Sequence, residues 1–239
     1  MPEILRDLVR LPLGSHCVSF HASREEAAAH ATDFLAGSPP WQAAAYWVAD
    51  PDLRARCQDL LAARAPHQVG CVMVLEKEQV HPIDGRLRPV DEIQHFVGSH
   101  PDGVTGGADT ISEYWRPENV PEHLEYEGWF DQQPRDHSRF LCPYDLRKVP
   151  PEEAPKILRQ LGAHHSHAVL SSSPEAGVRL LQLFVFATPS EVPSEIAESL
   201  EWALREGLVA VGDPPEPLSL TDEGNRVVQE WSRHATVDW

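Results

Sequence analysis

The first two-thirds of the chain alternates short, continuously apolar runs with longer amphipathic stretches. His16–Phe20 (HCVSF), Ala43–Val48 (AAAYWV) and Cys71–Leu75 (CVMVL) predict strands. Between the first two, Ser23-Arg24-Glu25-Glu26 has the spacing of a capping box, Ser at N-cap and Glu at N3, opening a helix to Ala36 that Gly37-Ser38-Pro39-Pro40 ends. Asp50-Pro51 supplies N-cap and N1 of a second helix to Arg64, with Leu53, Cys57, Leu60 and Leu61 on one face. Strands that are apolar throughout, separated by helices, indicate a parallel sheet covered on both faces.

Further along, Pro89–Val97 predicts a short helix and Gly103–Gly107 a loop or distorted strand. Asn119–Gln133 has helical spacing through Val120, Leu124, Glu127 and Phe130. Arg139–Cys142 predicts a strand, Pro150–Leu161 a helix, and His167–Leu170 with Val178–Phe186 the last strands of the sheet. After a Pro189/Pro193 linker the texture changes. A helix over Ser194–Glu206 is followed by Leu208–Val211 and Leu218–Leu220 around Gly212-Asp213-Pro214-Pro215, then by a closing helix at Thr221-Asp222-Glu223-Gly224. That order of helix, two-stranded wing and helix resembles the back half of a winged-helix domain. The expected division is an α/β domain over 1–187 and a small tail over 190–239.

At 239 residues the chain can bury a full core, and 41% apolar with 24% charged residues excludes wholesale disorder. No apolar run approaches the ~18 residues of a membrane span, and the N-terminus lacks the apolar core and cleavage site of a secretory signal, so a cytoplasmic protein is expected. Twenty basic against thirty-seven acidic residues give −17, which argues against a nucleic-acid coat or an anionic membrane surface. Seventeen of the twenty basic residues are arginine, a balance that fits either a salt-adapted cytoplasm or a GC-rich genome. Cys17, Cys57, Cys71 and Cys142 form no CxxC pair, which removes zinc ribbons and thioredoxin-type motifs and points to buried thiols.

Several blocks, in order, resemble the MEDS family, a sensory domain named for methanogens, methylotrophs and the DcmR regulator. They are GSHCVSFHASREEA at 14–27, HPIDGRLRPVDEIQHF at 81–96, EHLEYEGWFDQ at 122–132, RFLCPYDLRKVPPE at 139–152 and HHSHAVLSSS at 164–173. One departure stands out: where the family carries a glutamate-bearing strand in the middle, this chain reads Thr105-Gly106-Gly107-Ala108-Asp109. The resemblance implies a RecA/KaiC-like mostly parallel sheet flanked by helices. A phosphate loop would need GxxxxGK[ST] between the first strand and helix, whereas this chain has His21-Ala22-Ser23, so the pocket is expected to take something other than ATP.

Ligands of open parallel sheets bind beyond the carboxyl ends of the strands, which here present His21, Ser23, Asp50, Glu76, Lys77, Tyr144, Asp145, Arg147 and Ser171–Ser173. Cys142-Pro143-Tyr144-Asp145 is the strongest candidate, because an apolar strand stops there in a polar, conformationally fixed turn. Trp115 could line an apolar pocket, and His165 matches the family's histidine before the last core strand. The expected small-molecule site is therefore His21, Ser23, Glu76, Trp115, Cys142, Tyr144, Asp145, Arg147 and His165, its ligand and any cofactor unidentified, with no catalytic residue assigned.

A metal reading of His164, His165 and His167 places His165 and His167 on one strand face and needs a third ligand such as His16 or Cys142; spacing alone predicts none, and no metal is expected. A Cys142–histidine nucleophile lacks an adjacent positive charge to lower the thiol pKa. Residues 190–239 carry eleven acids against three arginines, and the helix that would enter a DNA groove holds Glu195, Glu198, Glu201 and Glu206. Charge of that sign repels phosphate, so the tail is expected to dock on a protein partner, a second copy or the α/β domain. The sequence thus points to a sensory protein, with a DNA-binding regulator or a metal- or thiol-dependent enzyme as the competing classes.

If the acidity is an adaptation to salt, raising KCl from low to molar concentration should increase the melting temperature by screening self-repulsion. A curve that is flat or falls with salt would assign the acidity to genome composition.

Overall fold

The computed structural model describes residues 2–75, 91–109, 120–132, 135–149, 154–180, 194–212 and 218–234. Its centre is a seven-stranded sheet of β1 (Glu3–Leu5), β2 (His16–His21), β3 (Ala43–Val48), β4 (Val72–Val74), β5 (Val104–Ala108), β6 (Arg139–Asp145) and β7 (His167–Val169), in the order β1-β7-β2-β6-β5-β3-β4. Every pairing is parallel. The α/β class and its parallel sheet are therefore as the uninterrupted apolar runs imply, since strands buried on both faces need no alternation.

Two helix layers cover the sheet. On one face α1 (Arg24–Ala36) and α2 (Pro51–Arg64) pack over Cys17, Tyr46, Val48 and Leu141. On the other, α3 (Asp91–Gly98), α4 (Val120–Asp131), α5 (Ala154–His164) and α6 (Pro174–Leu180) enclose Val18, Phe20, Trp47, Phe140, Cys142 and Tyr144. Cys17, Cys57 and Cys142 are buried and Cys71 is half-buried. Burial pushes the Cys57 thiol up to about 12, with nearby Asp109 adding to it, as for a thiol used in packing.

Local signals fix the helix starts. The Ser23 hydroxyl accepts from the Glu26 amide at 3.1 Å, and the Asp50 carboxylate accepts from the Asp52 amide at 2.9 Å. The capping box closes differently from its simple form: Glu26 reaches back to the Ala22 amide at 2.8 Å and also holds Ser171 and Ser172. Gly103–Gly107 is largely a regular strand, and β1 was not foreseen at all. Val178–Leu180, expected in a strand, belongs to α6; Pro174 sits at its start, after the Ser173 hydroxyl, which accepts from the Ala176 amide at 3.4 Å. Residues 181–186 of that expected strand lie outside the described residues.

The C-terminal region consists of α7 (Ser194–Arg205), the antiparallel pair β8 (Val209–Val211) and β9 (Leu218–Leu220), and α8 (Asp222–His234). The Thr221 hydroxyl caps α8 by accepting from the Gly224 amide at 3.0 Å. Glycine is required at 224 because a Cβ there would lie 2.0 Å from the Leu208 carbonyl oxygen. Leu200 and Ala203 of α7 are buried against the α/β body, where Gly177 of α6 meets Ser199 so closely that any side chain would collide. Packing on the α/β body is one of the docking options expected for the tail. α8 rests on the 3₁₀ turn Leu146–Lys148 that directly follows β6.

Arg139, at the start of β6, is buried. It donates to the Leu11 carbonyl at 3.1 Å, the Phe34 carbonyl at 2.8 Å and the Thr105 hydroxyl at 3.1 Å, tying the N-terminal arm and the end of α1 to the sheet. Burial lowers its guanidinium pKa to about 10. Arg139→Met keeps the aliphatic length and leaves these acceptors unpaired, so it should destabilise by about 3 kcal/mol. Urea unfolding checks this as a lower midpoint at unchanged slope.

Candidate functional site

In the pairing of β2 with β6, Val18 lies opposite Cys142 and His16 opposite Phe140. Side chains alternate across a strand, so His16 and Cys142 emerge on the same face as close neighbours. The His16 Nε2 is 3.3 Å from the Cys142 Sγ. Across this pair α4 lays Glu127, whose Oε2 stands 3.1 Å from the His16 Nε2 and 3.4 Å from the His165 Nε2. His165 comes from the link between α5 and β7. The donor atoms of His16, Glu127, Cys142 and His165 all lie within 4.8 Å of one another, and all four residues are buried.

Each member is held from behind. The His165 Nδ1 donates to the Leu161 carbonyl at 2.7 Å, and the His16 Nδ1 donates to the His164 carbonyl at 3.1 Å. Carbonyl oxygen only accepts, so both Nδ1 atoms carry the hydrogen and each ring turns its Nε2 inward. Tyr144, two residues past Cys142 on the same face of β6, donates its hydroxyl to Glu127 Oε1. The ring centroids of His16 and His165 are 4.1 Å apart, and Phe130, backed by Phe140, closes the side beside His16.

Burial pushes the Glu127 carboxyl up, but the imidazoles of His165 and His16 outweigh it and hold it well below the usual carboxylate range. Burial lowers His165, helped by His16 and opposed by Glu127. The set is thus one carboxylate, one thiol and two imidazoles, the donor types of a transition-metal site.

The expected ligand site is only partly assembled. Cys142, Tyr144 and His165 meet in this cluster. His21, Asp145 and Arg147 lie on the opposite face of the sheet, and Ser23 is spent on the α1 cap. Asp145 caps the 3₁₀ turn and takes both the Nε and Nη2 of Arg147 at 2.9 Å. Glu76, Lys77 and Trp115 lie outside the described residues. His165 and His167 do not form the pair expected of one strand face: β7 begins at His167, whose Nε2 approaches Glu3 at 3.7 Å. Glu127 was not foreseen as a site residue. Its signal was an acid placed in the apolar spacing of α4.

No family model and no curated protein matches the chain. Among solved structures it is similar to PH0250 from Pyrococcus horikoshii OT3, with a TM-score of 0.44 and 10% identity, over 68% of this chain and 84% of that one.

On the α1 face, His21 is fully buried beside Asp145, and neither of its ring nitrogens has a hydrogen-bond partner. Burial lowers its pKa to about 4, against the attraction of Asp145. The folded state therefore keeps His21 neutral while the unfolded chain takes up a proton below about 6.5. Its contribution is intact above that value and lost as pH falls toward 4. Stability should drop by about 2 kcal/mol between pH 7.5 and 5, and His21→Leu should remove much of that slope. His30 and His165, also displaced downward by burial, leave a residual slope. Urea unfolding of both proteins at the two pH values checks this.

Proposed function

We propose that this chain is a non-catalytic sensory protein in which the His16–Glu127–Cys142–His165 cluster receives the signal and the C-terminal tail responds. The observation that carries this reading is the path between them. β6 contributes Cys142 and the Tyr144 that holds Glu127, then passes through Asp145 into the 3₁₀ turn on which α8 packs. Leu146 in that turn and Val228 of α8 belong to the same buried core as Cys142 and Tyr144. A shift in the cluster reaches the tail through a few contiguous packed residues.

The MEDS resemblance supports the same reading. Each cluster residue falls in one of the blocks that carry it: His16 in 14–27, Glu127 in 122–132, Cys142 in 139–152 and His165 in 164–173. An enzyme would need an open position beside the reacting groups, whereas these four donors face one another inside the core. Nucleic-acid binding by the tail is disfavoured by its surface charge. Glu198 and Glu201 of α7 are exposed, and Arg226 of α8 is engaged by Glu223 and by Glu230 at 2.7 Å.

Hydrogen exchange on the full chain tests the relay. Glu127→Gln, which disturbs the cluster without altering its bulk, should accelerate exchange in 218–234 about tenfold, ~1.4 kcal/mol of local stability, while α2 is unchanged. Acceleration confined to α4 and β6 would contradict a sensory coupling.

A further inference from the structure

We infer that His16, Glu127, Cys142 and His165 bind one zinc ion through His16 Nε2, Glu127 Oε2, Cys142 Sγ and His165 Nε2. The inference rests on the reading of this cluster as the receiving centre and names what the centre takes. Its support is geometric and electrostatic.

Bond lengths of 2.0–2.1 Å to nitrogen and oxygen and 2.3 Å to sulfur require donors about 3.3–3.6 Å apart at the corners of a tetrahedron with one sulfur. The separations of 3.1, 3.3 and 3.4 Å already lie close to that edge length. Three of the six separations among donors from two strands, a helix and a link thus approach that of a four-coordinate ion, and all six lie within 4.8 Å.

Electrostatics asks for a cation at the same point. Two imidazole Nε2 atoms and a thiol sulfur gather around the Glu127 carboxylate, whose buried charge calls for positive charge beside it. The His165 Nε2 is buried, aimed into the cluster, and makes no hydrogen bond. A proton on one imidazole ties that ring to Glu127 alone. A divalent ion satisfies all four donors and displaces the thiol proton, leaving Cys142 as thiolate.

The surroundings match what metal-binding side chains require. Both imidazoles are oriented by backbone carbonyls on their far nitrogens, and Tyr144 occupies Glu127 Oε1, leaving Oε2 to bind through a single oxygen. A thiolate and two imidazoles disfavour magnesium and calcium, which take oxygen donors. Four protein donors with no position left over are the pattern of a closed zinc site.

The test uses the full-length protein purified without added chelator, then stripped and reloaded with Zn²⁺ or Co²⁺. Elemental analysis should find one zinc per chain, and reloading should raise the melting temperature. Co²⁺ should give the intense visible bands of four-coordination together with a near-ultraviolet thiolate charge-transfer band. Cys142→Ser should lose the charge-transfer band, and His165→Ala should weaken Co²⁺ binding at least about tenfold. Cys71→Ser, which alters the half-buried thiol outside the cluster, should change neither. Should Cys142→Ser fail to fold, the wild-type stoichiometry and charge-transfer band still decide. Absence of stoichiometric metal with no response to Zn²⁺ or Co²⁺ would overturn the site, and stoichiometric iron or copper in its place would overturn the zinc assignment. Metal content is read independently of exchange in the tail, so the site and the relay can fail separately.

Discussion

The register between β2 and β6 is the constraint on which the rest of the structure depends. With Val18 opposite Cys142, His16 and Cys142 share the face covered by α4 and α5. A slip of one residue would turn one of them into the α1 layer and separate the donors. Apolar burial on both sides of these strands opposes such a slip: Cys17 and Leu141 fill the α1 face while Val18 and Phe140 fill the other. Arg139 adds a local anchor by fastening the start of β6 to the N-terminal arm and the end of α1.

The same alternation separates two kinds of buried polarity. On one face, two imidazole nitrogens, a carboxylate oxygen and a thiol sulfur converge on a common centre. On the other, His21, Asp145 and Arg147 sit at the carboxyl ends of the strands, and the Asp145 charge is neutralised by Arg147. Ligands of α/β sheets commonly occupy that end, and beside β2, β6 and β7 it holds the α1 cap, the Glu26–serine bonds and the Asp145–Arg147 pair. The polar cluster lies instead within the core, beneath α4. From it β6 runs to the turn on which the tail is packed.

Much of the scaffold was legible from sequence because parallel strands buried on both faces leave uninterrupted apolar runs. Ser23, Asp50 and Thr221 marked helix starts that depend only on local hydrogen bonds. What was misread needed tertiary information. Glu3–Leu5 is too short to stand out and becomes a strand by pairing with β7. Val178–Leu180 opens an apolar-rich stretch that has no decisive period, and the start at Ser173-Pro174 settles it as a helix. The cluster was half visible. Cys142 and His165 were singled out and His16 was named, as an alternative to Cys142, for a third ligand of the histidine pair, but the period-2 pairing of His165 with His167 failed because His165 precedes the strand. Glu127 stood in the apolar spacing of α4 all along; only the packing of that helix over His16 shows what an acid does there.

X-ray absorption at the zinc edge of the purified, zinc-loaded full chain tests the central claim most directly, because it reports the donors around the ion. The account predicts one sulfur at about 2.3 Å and three nitrogen or oxygen donors at about 2.0–2.1 Å, with imidazole scattering from two histidines. A first shell without sulfur, or six light donors at longer distances, would contradict it.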